Sequence, residues 1–242
     1  MRLAKHAVSS LFLSSLFFSL LIPMASAVDS IPTEIMQVGT FHAGEVPNVA
    51  GRNWFALIIN GEQAELKTAS PKIKTVFDGI MDDENNKASY SGKQVEVKGP
   101  EPFMLIRRQG LTTGVVQQAS ITTTDQGQTI TFNKTVYTVE HQCKKKSKAE
   151  EFASCKVYLV GHGNGNGNSI KQWLGDTLEN GDSDFNETIS VSWAGDIDRD
   201  GKIDLIIEKS RYNNSDTVLL LSSAAKAGKH VHEVAKLSRQ GC

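Results

Sequence analysis

The stretch that decides the fold of this chain is Asp196-Ile197-Asp198-Arg199-Asp200-Gly201-Lys202-Ile203-Asp204. It places aspartates at alternate positions, a glycine at the sixth place and a further aspartate at the ninth. Calcium takes six to eight oxygen ligands at about 2.3–2.6 Å, so a loop that binds it must fold around the ion and turn alternate side chains inward. The spacing predicts a calcium site whose ligands are four side chains and one main-chain carbonyl: Asp196, Asp198, Asp200, Lys202 (carbonyl) and Asp204.

The residues on either side of this loop predict strands. Ile189 to Trp193 alternates strictly between apolar and polar residues, and Ile203 to Ile207 is short and β-branched. An EF-hand would need helical flanks and a bidentate glutamate at the twelfth loop position, where Ile207 stands. Gly201 allows the sharp turn because it has no Cβ. The pattern therefore predicts two strands joined by a cation-binding turn.

This loop resembles the calcium loop of FG-GAP or VCBS-type repeats, which joins two strands in the blades of integrin-like propellers. Their pattern, D-x-D-x-D-G-x-x-D-L, is matched here through Leu205. With less specific signals, the resemblance extends from Trp193 to Cys242 and is to secreted bacterial proteins that carry one such repeat. A single copy cannot form a propeller, because blades are stable only when about four or more close a ring.

We therefore expect a mostly β fold of antiparallel sheets and hairpins, sandwich-like or divided into two small β lobes, with one calcium-loop hairpin and no complete propeller. The composition turns to Thr, Asp, Gln and Gly near residues 120–127, which places a boundary between a 28–122 N-terminal β region and a 123–242 C-terminal β region.

In the first region, Asn60-Gly61 between two apolar runs predicts a hairpin with a type I′ turn. The polar segment from Asp78 to Ser91 predicts a surface loop. A second cation site at its acid cluster is the weaker alternative, because a run of charges is usually solvated.

Residues 1–27 have the features of a secretory signal peptide. Arg2 and Lys5 precede an apolar segment, and Ala25-Ser26-Ala27 gives the small-residue cleavage pattern. An uncleaved membrane anchor is the alternative, and the short, serine-rich apolar run argues against it. We expect cleavage after Ala27, a periplasmic or secreted location, and no stable membrane insertion afterwards.

The charge balance argues against nucleic acid as a partner. The chain has 26 basic and 27 acidic side chains, and removal of residues 1–27 takes away only Arg2 and Lys5 among them. The exported form is thus slightly acidic, whereas nucleic-acid binding depends on a positive surface.

Three cysteines, Cys143, Cys155 and Cys242, allow one disulfide in an oxidising compartment. Cys143 with Cys155 would close a lysine-rich hairpin loop and stabilise the fold by about 3 kcal/mol on the chain-entropy estimate. Either pairing with Cys242 remains open from the sequence.

Three other motifs resemble parts of known binding or catalytic sites, but each lacks residues that such a site needs. The glycine repeat in His162–Asn168 lacks the lysine of a phosphate-binding loop and predicts a hairpin turn. Ser223 and Lys226 have the S-x-x-K spacing of penicillin-recognising enzymes without the accompanying motifs. His230 and His232 would share one strand face as a metal-binding pair, with no third ligand at useful spacing.

The sequence predicts no catalytic residue and no organic cofactor. We expect an exported calcium-binding β protein, with calcium in a structural role, that serves as a binding or interaction module for an unknown protein or glycan of the cell envelope. The alternative is an envelope hydrolase whose active site is assembled from dispersed residues.

Overall fold

A computed structural model of the chain describes residues 32–47, 53–144, 153–162, 169–179 and 186–241. These residues fall within one compact unit, Ile31–Cys242. In this part of the chain the backbone forms antiparallel strands and a short 3-10 turn at Lys87–Ser89, with no α-helix. The predicted signal peptide lies outside the described residues.

The strands, numbered in chain order, are β1 Glu34–Met36, β2 Gly39–Phe41, β3 Trp54–Asn60, β4 Gln63–Ala69, β5 Lys72–Val76, β6 Gly92–Glu96, β7 Met104–Arg107, β8 Gly114–Gln118, β9 Ser120–Thr124, β10 Gly127–Phe132, β11 Thr135–Cys143, β12 Ala153–His162, β13 Ile170–Glu179, β14 Thr188–Asp196, β15 Asp204–Arg211, β16 Asn214–Leu221 and β17 His232–Gln240.

Nine strands form one sheet in the order β1-β7-β3-β4-β8-β14-β15-β16-β17. The sheet is nearly closed, because β1 and β17 at its two ends lie side by side. Trp54, Leu57, Met104 and Trp193 are among the side chains buried in its interior core. The expectation of a mostly β, antiparallel fold that is not a complete propeller is confirmed.

A five-stranded sheet, in the order β13-β12-β11-β10-β9, packs against the outer face of the same strands that carry the acidic loop. Leu205 and Ile207 belong to the core between the two sheets, and Ile206 between them points into the core of the nine-stranded sheet. Both faces of β15 are therefore buried, which explains its uninterrupted apolar run. At a bulge in β14, the side-chain amide of Gln128 bonds the backbone N–H and C=O of Val191 and ties the two sheets together.

The predicted β3–β4 hairpin is confirmed, but its turn lies one residue further along. Asn60 pairs with Gln63 in the ladder, so the central turn residues are Gly61 and Glu62. Gly61 has φ +60, whereas Glu62 is not in the left-handed region. A glycine with positive φ at the first central position fits a type II′ turn, and the predicted type I′ turn at Asn60-Gly61 is wrong.

The small sheet β2-β6-β5 completes the architecture, with Phe41 and Val95 packed into the core of the nine-stranded sheet. Strands from both predicted regions meet in that large sheet, since Gln118 of β8 pairs with Gly195 of β14. Strand β9 runs through the predicted boundary between residues 122 and 123.

Cys143 and Cys155 are cross-strand neighbours in β11 and β12, and they form a disulfide. This confirms the pairing that closes the lysine-rich loop; Cys242 lies outside the described residues. A disulfide fits a protein that folds outside the cytoplasm. Among the described residues, no helix is long and apolar enough to cross a membrane.

Candidate metal centre

The acidic loop is the turn between β14, which ends at Asp196, and β15, which begins at Asp204. Arg199 and Gly201 take left-handed φ angles of +60 and +82, which reverse the chain within a few residues. Ile197 and Ile203 are buried and fix the base of the loop on the two cores. The two strands thus deliver Asp196 and Asp204 to the same end of the hairpin.

Three of the predicted ligands come together. Asp196, Asp198 and Asp204 each offer an oxygen, and these oxygens all lie within 4.8 Å of one another. The Asp196 and Asp204 side chains are buried, and Asp198 is half-buried. A buried cluster of this kind can hold a metal ion.

The other two predicted ligands lie at the rim of the loop. Asp200 is exposed, and its main-chain N–H donates to Asp196 Oδ1 at 3.0 Å. The N–H of Lys202 donates to Asp200 Oδ1 at 2.9 Å, while the Lys202 residue is exposed. Asp200 therefore lies beside the three-carboxylate cluster, and the predicted role of the Lys202 carbonyl stays a prediction.

Two serines at the end of β16 also belong to the centre, and they were not predicted from the sequence. Ser222 Oγ lies 3.0 Å from both oxygens of Asp200 and from Oδ1 of Asp204, and the Ser222 N–H donates to the same Asp204 oxygen at 2.8 Å. Ser223 Oγ donates to Asp198 Oδ2. The available signal was a pair of hydroxyls directly after the apolar run Leu219–Leu221.

The centre has more acceptor oxygens than protons to share among them. One Ser222 hydroxyl proton faces three carboxylate oxygens, and Asp198 Oδ1 is buried with no hydrogen-bond partner in the described structure. Burial and, to a smaller extent, the nearby charge of Asp198 raise the pKa of Asp204 to about 7, although hydrogen bonds from Ser222 and Ile197 lower it. Burial also raises the pKa of Asp196. Such a site needs a cation or a proton to offset its charge.

The donor set indicates what kind of cation would fit. Its side-chain donors are carboxylate and hydroxyl oxygens, which hard cations prefer, whereas zinc and copper sites draw on imidazole nitrogen or thiolate sulfur. Asp198 also keeps one buried oxygen without a hydrogen-bond partner, so the residues present fit a hard divalent cation.

The outer side of the loop is held by residues from distant parts of the chain. The Arg199 guanidinium donates to the carbonyls of Thr112 and Val115 at 3.1 and 3.2 Å. Asn133 Nδ2 donates to the Gly201 carbonyl at 3.2 Å. These contacts fix the loop from the beginning of β8, from the residue Thr112 just before it, and from the β10–β11 turn.

The remaining sequence motifs do not form sites of their own. Ser223 of the S-x-x-K motif bonds the acidic loop. His230 Nε2 lies 3.0 Å from the Ile170 carbonyl and its ring packs on Tyr137, while His232 is exposed at the start of β17. Neither histidine joins a metal-binding group among the described residues. Residues 163–168 of the glycine repeat lie outside the described part, between the antiparallel strands β12 and β13.

Comparison of the chain with protein-family models, with curated proteins and with solved structures gives no significant match.

Proposed function

We propose that this chain is an exported calcium-binding β protein in which the ion has a structural role. The observation that carries the proposal is that Asp196, Asp198 and Asp204 each bring an oxygen within 4.8 Å of the others, while a buried oxygen of Asp198 has no hydrogen-bond partner among the described residues. Asp200 and the Lys202 carbonyl would complete the ligand set. Several carboxylates in one turn favour calcium over magnesium, which usually keeps its waters and takes only one or two carboxylates.

The resemblance to FG-GAP or VCBS-type loops supports the same proposal. In those repeats the calcium loop joins two strands, as β14 and β15 are joined here. In this chain the hairpin would be a single copy built into a nearly closed sheet, where it contributes to two cores at once.

The ion would act by offsetting the repulsion and the desolvation of the aspartates at the hairpin end. Without it, folding brings the carboxylates together at a cost; with it, the same groups become ligands. At a free calcium concentration a hundredfold above Kd, linkage predicts a stabilisation of about 2.7 kcal/mol. Because both faces of β15 are buried, this stabilisation reaches both sheets.

The proposed location is the periplasm or the outside of the cell. Its support is the signal-peptide pattern of residues 1–27 together with the Cys143–Cys155 disulfide. In that compartment we propose a binding or interaction module as the role of the protein.

One arrangement of side chains bears on the hydrolase alternative. His42 Nδ1 lies 2.5 Å from the buried Asp78, and both His42 and Ser91 line a cavity of about 300 Å³. However, the Ser91 hydroxyl donates to Asp82 Oδ1 at 2.6 Å, so it is committed to a carboxylate and is not poised on the histidine. We therefore favour the module.

Thermal unfolding of the exported protein with calcium and with chelator tests the proposed calcium site. Asp198→Ala is expected to lower the melting temperature in calcium, because it removes a ligand. In chelator it should change little, because the relieved repulsion with Asp204 and the lost hydrogen bond from Ser223 oppose each other. Asp125→Ala, at an exposed aspartate in the β9–β10 turn, is the matched control and should leave both values unchanged. Equal losses for Asp198→Ala in both conditions, or no bound calcium by mass spectrometry, would refute the proposal.

A further inference from the structure

A second site lies between two of the sheets. A cleft of about 580 Å³ separates the β3–β4 hairpin of the nine-stranded sheet from strands β5 and β6 of the small sheet. Small-ligand sites in proteins typically have roughly 300–1,000 Å³. The cleft shares no lining residue with the acidic loop, so a ligand there would not depend on the proposed calcium site.

One wall of this cleft is the outer face of the β3–β4 hairpin, and it is mostly apolar. Ala56 pairs with Lys67 across the two strands. Ile58 and Ala69 lie two residues further along the same strands, so the four side chains point to one side of the sheet, and all four line the cleft. Leu57 points the opposite way, into the core of the nine-stranded sheet. Ile58 and Ala69 are only half-buried, so this wall has apolar surface left for a ligand to cover.

The other wall is one face of β5 and β6, and it is basic. Lys72 pairs with Glu96 across these strands, and Lys74 lies two residues further along β5, so the three side chains share a face. Lys98 lines the cleft just after the end of β6. Val95, on the opposite face of β6, is buried against the core of the nine-stranded sheet. The lysines therefore lie on the face that is open to the cleft.

The cleft carries an excess of positive charge. Its lining contains four lysines and one acid, Glu96. Glu96 lies 2.5 Å from the ammonium group of Lys74, and Glu65, from outside the lining, lies 3.0 Å from that of Lys67. These two ion pairs neutralise half of the lysines and leave the other half uncompensated.

Lys72 and Lys98 are the two uncompensated lysines. Among the described residues, neither ammonium group has an ion-pair or hydrogen-bond partner. The chain as a whole is slightly acidic, with 26 basic and 27 acidic side chains, so this local excess does not reflect a generally basic surface. A positively charged cleft attracts a ligand of opposite charge. The group that complements these lysines is therefore the anionic end of a ligand.

We propose that this cleft binds a fatty acid, with the acyl chain on the apolar wall at Ile58 and Ala69 and the carboxylate at Lys72 and Lys98. An acyl chain with one charged end matches both walls together. A small inorganic anion would leave the apolar wall uncovered, and a neutral lipid would leave the two ammonium groups without a counter-charge.

Calorimetric titration of the full chain tests both parts of this proposal. The probes are hexanoate, octanoate and decanoate at pH 8, where the carboxylate is ionised, at concentrations below those that form micelles. The affinity is expected to rise along the series, by up to about fourfold for each buried CH₂ group. Acetate, which has no acyl chain, and decyltrimethylammonium, which has the opposite charge, should not bind measurably.

A pair of double variants locates the bound carboxylate. Lys72→Ala with Lys98→Ala should weaken decanoate binding at least about tenfold. Lys156→Ala with Lys229→Ala is the matched control, because it removes two exposed lysines outside the cleft and changes the net charge equally. It should leave the affinity for decanoate unchanged. Circular dichroism of both variants checks that each keeps its β structure.

Three outcomes would overturn the proposal. The first is no binding of decanoate to the unaltered chain. The second is equal weakening in the two double variants, which would mean that decanoate follows net charge and not this cleft. The third is binding of decyltrimethylammonium as tight as that of decanoate, which would show that the anionic end is not recognised.

Discussion

Two acid-rich loops of similar composition behave in opposite ways in this protein. The loop from Asp196 to Asp204 collects its carboxylates at one point and leaves a buried oxygen of Asp198 unpartnered. The loop from Asp78 to Ser91 also carries several acids, but there Asp78 and Asp82 each have their own donors. The number of carboxylates is therefore a poor indicator of a cation site, and their arrangement decides it.

In the second loop, the acids act as hydrogen-bond acceptors for their own segment. Asp78 bonds His42 and accepts from the N–H of Ile80, and Asp82 accepts from the hydroxyl and the N–H of Ser91. The hydrogen bond from His42 lowers the pKa of Asp78. Burial raises the pKa of Asp82, but the hydrogen bonds from Ser91 hold this pKa below its ordinary value. In the acidic loop the pKa values of Asp196 and Asp204 are raised instead.

The largest expected effect is on the pH dependence of stability in chelator. Because burial raises the pKa of Asp204 from 3.8 to about 7, the folded state holds a proton that the unfolded state has released between these values. Asp204 therefore favours folding least at high pH, and stability should fall by on the order of 4 kcal/mol as pH rises from about 4 to about 7. Urea unfolding from pH 4 to 8 measures it. Asp204→Asn should flatten this slope, and an unchanged slope in the variant would contradict the assignment.

The next effect concerns the calcium response of that variant. The asparagine side chain introduced by Asp204→Asn carries no charge, so in chelator the buried site loses a desolvated carboxylate. The new NH2 group would face the N–H of Ile197 or of Ser222, at a cost of about 1–3 kcal/mol, which is less than the relieved desolvation. The variant should therefore unfold at a higher temperature than the wild type at pH 8. In calcium this difference should shrink or reverse, because the variant lacks a ligand and only the wild type gains the full stabilisation of about 2.7 kcal/mol. Melting curves of both proteins in the two conditions give the test, and an equal difference in both would argue against cation binding.

A smaller and calcium-independent effect is expected in the second loop. Asp82→Asn replaces one acceptor oxygen by an amino group that faces the donors of Ser91 and the Asp78 N–H. It should lower the melting temperature by a few degrees, by the same amount in calcium and in chelator. A loss confined to calcium would mean that this loop binds a cation as well.

The smallest losses of stability are expected when one glycine at each of the two loops is replaced by alanine. Gly201→Ala meets open space but must keep φ +82, which costs about 1 kcal/mol. Gly92→Ala would place a Cβ 2.9 Å from the Val76 carbonyl oxygen, with a cost of about 1 kcal/mol from overpacking. Denaturant titrations should show both losses, and calcium titrations should show weaker binding in the Gly201 variant alone. Weaker calcium binding in the Gly92 variant would contradict the separation of the two loops.

Much of the fold could be predicted because its signals are local. The alternation in Ile189–Trp193 and the β-branched run in Ile203–Ile207 identified the two strands of the central hairpin, and the cysteine spacing allowed the observed disulfide. The turn at Gly61 was misplaced by one residue, because the register of a hairpin depends on the pairing of both strands and not on the dipeptide alone.

The sequence by itself determined that Asp196, Asp198 and Asp204 would come together at the end of a hairpin, since their spacing and the left-handed glycine between them act within a few residues. Only the tertiary structure brought Ser222 and Ser223 to those aspartates and Arg199 to Thr112. Those contacts join segments that the chain separates, and their formation depends on how the sheets pack, which no local pattern encodes.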